Sequence, residues 1–63
     1  MSSYYMGFHY DMVTKGKGYR VTTFGGNIKL TFNHVTQKSS RELKAELKKY
    51  GHNVIIEKEE DLV

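Results

Sequence analysis

An α+β domain of ββαβ order is the fold class this sequence predicts, and three observations predict it. Apolar and aromatic residues alternate from Tyr4 to Met12. A β-branched, aromatic stretch runs from Tyr19 to Phe32, interrupted by Gly25-Gly26. A capping motif at Ser39 opens an amphipathic segment that closes at Gly51, and the apolar run Val54-Ile55-Ile56 follows it. At 63 residues the chain is read as one domain, 1–63, with a frayed acidic end over 59–63. Hydrophobic residues make up 38%, enough for a thin core only, because a domain near this size buries about 60% of the surface its unfolded chain exposes. With no cysteine and no HxH or HExxH pair, neither a disulfide nor a zinc staple reinforces that core.

Tyr4, Met6, Phe8, Tyr10 and Met12 fall on one face of the first segment, and Tyr5, Gly7, His9, Asp11 and Val13 on the other. That period of two is the mark of a half-buried strand. Lys15-Gly16-Lys17-Gly18 supplies two residues that tolerate positive φ. Tyr19 to Phe24 then returns as a β-rich strand, so the two segments are expected to form a hairpin. Core positions are odd before Gly25-Gly26 (Tyr19, Val21, Thr23) and even after it (Ile28, Leu30, Phe32). Either a glycine bulge inside one long bent strand or a tight hairpin opening a third strand, βββαβ in that case, keeps the faces consistent. The bulge is preferred because it gives the first strand a partner along its whole length.

Ser39-Ser40-Arg41-Glu42 matches a capping box with Ser39 as N-cap. Leu43, Leu47 and Tyr50 recur at i, i+4 and i+7 as an apolar stripe. Gly51 stands where a left-handed C-cap belongs, and Val54 to Glu57 reads as the last strand. One helix covers one face of one sheet, and nothing in the chain is left to cover the other. The most buried residues are expected to be Met6, Phe8, Tyr10, Val21, Ile28, Leu30, Leu43, Leu47 and Ile56.

The search for chemistry is mostly negative. The longest apolar run inside the domain is three residues, far short of the ~20 that span a bilayer. No basic-then-apolar leader precedes Ser2-Ser3, and the expectation is a cytoplasmic domain. Lys15-Gly16-Lys17-Gly18 lacks the spacing of a phosphate-binding loop and any following helix. His9, His34 and His52 are scattered over strand, loop and helix exit without metal-ligand spacing. No catalytic, cofactor or metal site is expected, and the chain is read as a non-enzyme.

Binding surfaces remain. Residues 1–41 carry six cations against Asp11 alone, while residues 42–63 carry four against six carboxylates. Strand parity gathers Tyr5, His9, Arg20 and Lys29 with Thr22 and Thr31 on the open sheet face, with Lys15 and Lys17 at the hairpin tip. Cations interleaved with an aromatic plane suit nucleic acid. Arg41, Lys44 and Lys48, at i, i+3 and i+7, form a second, helical basic stripe. A protein partner is the competing use. Eight aromatics are more than one helix shelters, and surface tyrosines such as Tyr5 make good interface anchors. A free strand edge further allows pairing with a partner's sheet or with a second copy.

The element order, a single ββαβ domain of about this length, is similar to that of small phage-encoded proteins that bind and inhibit host proteins, such as antitoxins against a ribonuclease toxin or inhibitors of RNA polymerase. That resemblance covers element order and carries no site residues. It implies a protein-binding regulator or inhibitor first and a nucleic-acid-binding domain second.

Overall fold

Two short strands, β1 (Ser2–Tyr5) and β2 (Phe8–Asp11), open the fold. β3 (Tyr19–Gly25), β4 (Ile28–Val35), helix α1 (Gln37–Lys49) and β5 (Asn53–Lys58) follow, and a 3-10 turn, Glu59–Leu62, closes it. The computed structural model describes residues 2–5 and 8–62, and side chains from His9 to Leu62. β1 and β2 pair antiparallel with each other, Ser2 opposite Asp11 and Tyr5 opposite Phe8. The main sheet is antiparallel in the order β4-β3-β5. Leu43 and Leu47 of α1 pack on one face of it and close a core with Val21, Phe32 and Val35, flanked by Tyr10, Leu30, Val54 and Ile56. The small α+β domain is the class the sequence predicts.

Strands and pairing differ from expectation in three places. The alternating stretch Tyr4–Met12, expected as one long strand, contributes to two strands, β1 and β2, that pair with each other. The first segment does not pair with Tyr19–Phe24, because β3 has both its neighbours in β4 and β5. The Gly26-Asn27 turn brings β4 to one flank of β3 at little loop-closure cost, and β5 takes the other, where Val54 and Ile56 pack against the core. The first segment attaches instead to the far side of β4, by the Met12–Val35 bridge, Val13 N–H to His34 O at 2.7 Å and Thr36 N–H to Asp11 O at 3.1 Å. At the glycines the chain turns rather than bulges: Gly25 pairs with Ile28, which leaves Gly26 and Asn27 as the loop. Gly26 has φ +58° and Asn27 does not share the positive φ, the pattern of a type II′ hairpin. That turn sets Val21 opposite Phe32 and Thr23 opposite Leu30, which is why odd positions before the glycines and even positions after them share one face.

The sheet does contain an irregularity, and it lies in β4. Between Tyr19–Val35 and Val21–Phe32 the register slips by one residue, and His34 takes φ +61°. His34 is therefore a strand residue, not a loop one. The extra residue turns Val35 into the core, where the sequence gives no sign of it.

The helix also begins earlier than the capping box predicts. Thr36 is the N-cap, its Oγ1 accepting from Ser39 N–H at 3.2 Å, so Ser39 and Ser40 are buried in the first turn. Gly51, at φ +82°, ends the helix as predicted: Gly51 N–H reaches Lys48 O and His52 N–H reaches Leu47 O, both at 3.1 Å, a Schellman closure. Tyr50 is 70% exposed rather than part of the packed stripe, and Ile28, at the hairpin tip beyond the helix, is 54% exposed. Met6 lies outside the described residues, as does the Phe8 side chain. The acidic end expected to fray is a 3-10 turn tied back to the sheet, with Glu59 N–H donating to Gly18 O at 3.0 Å.

Candidate functional site: the open sheet face

Because α1 takes the face of Val21 and Phe32, the opposite parity of each strand points away from the helix. Phe24, Thr22 and Arg20 line that face along β3. The β3–β4 register sets Lys29 opposite Phe24 and Thr31 opposite Thr22. The β3–β5 register sets Asn53, Ile55 and Glu57 opposite Phe24, Thr22 and Arg20. The side chains of Arg20, Thr22, Phe24, Lys29, Thr31, Ile55 and Glu57 line one shallow concavity.

Its centre is apolar and its charges are mostly answered within the chain. Phe24 is 39% exposed and Ile55 49%, and they are diagonal neighbours across β3 and β5. Arg20 Nε lies 3.5 Å from Glu57 Oε1, a cross-strand ion pair with both side chains more than a third exposed. Lys29 Nζ stands 5.7 Å from the centroid of the Phe24 ring, within cation–π reach. On this face Lys29 is thus the cation with no carboxylate opposite it in the register.

Of the residues singled out from sequence, Arg20 and Lys29 do share this face. His9 is exposed on β2, in the other strand pair. The Tyr5 side chain lies outside the described residues. Lys15 and Lys17 are exposed in the loop after Met12, where Lys17 N–H donates to Thr14 O at 3.0 Å. Lys15 lines a second hollow with Arg20, Asn33, His34 and Glu59. Arg41, Lys44 and Lys48 are exposed on the helix, which covers the opposite side of the sheet, so the two basic regions do not merge.

In the second hollow, His34 Nδ1–H donates to Glu59, at 3.0 Å from Oε1 and 2.7 Å from Oε2, and His34 N–H reaches Oε2 at 3.3 Å. The hydrogen bond from His34 holds the Glu59 carboxyl below its ordinary range, against the opposing effect of burial. This is a clamp on the β4 bulge: the carboxylate takes both the ring and the backbone of the residue at positive φ. Among the described residues no group of three or more histidines and carboxylates is placed to hold a metal ion, and no helix is long and apolar enough to cross a membrane.

Sequence reasoning missed Ile55 and Glu57. The run Val54-Ile55-Ile56 hides its own alternation, although placing Val54 and Ile56 in the core would have turned Ile55 outward. Glu57 needs the β3–β5 register, which no local pattern carries. Comparison with known proteins adds no relative: no family model matches the chain, and neither a curated protein nor a solved structure does.

Proposed function

We propose that this chain is a non-catalytic protein-binding module, a regulator or inhibitor that works by occupying a surface of its partner, and that it docks through the open sheet face. One observation supports the reading above others: that face has an apolar centre, Phe24 and Ile55, inside a rim whose Arg20 is already paired with Glu57. A desolvated aromatic anchor surrounded by polar groups is the arrangement of a protein interface hot spot. A phosphate-binding face needs uncommitted cations, and here Lys29 alone is without a carboxylate opposite it. The small phage-encoded inhibitors of similar element order offer the matching mode of action. A cytoplasmic partner goes with a chain that has no cysteine to oxidise.

The test combines capture and salt. Wild type and Phe24→Ala are used as baits in nuclease-treated lysate, and both are titrated against mixed-sequence DNA and RNA from low to moderate salt. The expected result is a protein partner that survives nuclease and moderate salt and is lost with Phe24→Ala. Nucleic-acid binding with a slope of about −0.9 per phosphate contact in log affinity against log salt, insensitive to Phe24→Ala, overturns the reading in favour of a cationic interface.

A further inference from the structure

We infer that β5 is a self-pairing edge: two copies of this chain join β5 to β5 antiparallel about a two-fold axis at Ile55, making one continuous six-stranded sheet. β5 is the outer strand of the main sheet, hydrogen-bonded to β3 on one side and to no described strand on the other. Such an edge presents a row of unpaired backbone groups, and proteins that stay single usually blunt it with proline, a bulge or an inward charge. β5 has no such device over Asn53–Glu57. The chain has no proline, and the β3–β5 register runs unbroken from Asn53 to Lys58. The two charged residues at its far end are each engaged within their own chain, Glu57 with Arg20 at 3.5 Å and Lys58 with Glu60 at 3.3 Å.

The β4 edge is engaged at its C-terminal end. β4 is bridged at Val35 by Met12, and the Tyr10 ring packs edge-on against Phe32 at 5.2 Å. Pairing β5 with its own copy consumes that edge in a closed isologous dimer, and the order of residues along β5 is what favours it.

The register follows from the pleat, since directly opposed residues must share a face. With the axis at Ile55, Ile55 meets its own copy on the open face and Val54 meets Ile56 on the helix side. With the axis at Ile56, Ile55 meets Glu57 and Val54 meets Lys58. Apolar residues meet apolar ones in the first register and charges in the second, so the strand's own order selects the first. The pairing shares Ile55 with the proposed docking face, and Phe24→Ala separates the two roles, because it removes the open-face anchor and leaves the β5 edge unchanged.

Sedimentation equilibrium of the full chain from micromolar to millimolar concentration reads the association. Ile55→Lys and Ile55→Glu each set like charges against themselves at the axis, which is destabilising for directly opposed pairs, and their half-exposed site lets the fold persist, as circular dichroism will verify. Wild type is expected to dimerise, and each variant alone to dissociate about tenfold more readily or worse. An equimolar mixture of the two is expected to recover dimer, because lysine then faces glutamate. A wild type that stays monomeric throughout, variants that dimerise as well as wild type, or a mixture no more associated than its components would each overturn the inference.

Discussion

Thr23 lies on the helix side of β3, 1% exposed, and its Oγ1 has no hydrogen-bond partner among the described residues. A buried hydroxyl without a partner costs about 1–3 kcal/mol relative to a satisfied one, whereas an apolar group of the same shape carries no such penalty. Thr23→Val is therefore expected to stabilise the domain by about 1 kcal/mol, read as a higher urea midpoint at unchanged denaturant slope. A lower midpoint would mean that the hydroxyl is satisfied in solution. His34 illustrates the opposite problem at the same scale. A non-glycine residue at positive φ is costly, and composition alone points to glycine for it. Here the Glu59 carboxylate holds the position, from a residue 25 places away in sequence, so nothing local announces the bulge.

At the level of elements, the start of α1 shows why a good local match went to the wrong residue. Ser39 and Glu42 satisfy the capping-box spacing, yet Thr36 does the capping, and Ser39 Oγ instead accepts from Asp11 N–H at 2.9 Å. The serine thus ties β2 to the helix. Ser39→Ala leaves that amide without its acceptor, at a cost of about 1–3 kcal/mol. The expected signature is faster hydrogen exchange at Asp11, with protection in the first turns of α1 retained. Thr36→Ala should do the reverse and fray the helix start. Exchange that accelerates first within α1 in the Ser39→Ala protein would return the cap to Ser39.

Across the whole molecule, element types were readable from sequence because period two, period 3.6 and glycine punctuation are local signals. Which strand neighbours which was not, because β3 could be given a partner from either direction and only the packed sheet decides. The same division runs through the candidate site. Arg20 and Lys29 could be placed by parity, but the Arg20–Glu57 pair, which answers one of the face's two cations, depends on a non-local register. Tyr5 and His9, expected on the open face, lie in the separate β1–β2 pair for that reason. The His34–Glu59 clamp is the long-range tie with a pH signature. The folded state holds the Glu59 carboxyl below its ordinary range, while the unfolded chain keeps the ordinary value, so acid loads protons onto the unfolded chain first. The clamp's stabilisation is complete above the ordinary carboxylate range and is lost as pH falls through the depressed folded value. Glu59→Gln should lower stability at neutral pH and flatten the acid limb of stability against pH, measured by urea unfolding at a series of pH values. Parallel curves for variant and wild type would show that the clamp contributes nothing to folding.

The two neighbours of β3 differ greatly in when they can arrive. β4 is joined to it by Gly26 and Asn27 alone, and a hairpin of that kind assembles in about 1–10 μs. β5 reaches β3 only after the intervening 13-residue helix has found its place, which closes a far longer loop. The rate-limiting ensemble of folding is then expected to be built on the β3–β4 turn with α1 condensing onto it, so φ-values should be high at Leu30 and near zero at Val54. Interactions formed that late mainly govern how fast the protein opens, so truncations in β5 are expected to speed unfolding and to leave the folding rate nearly unchanged.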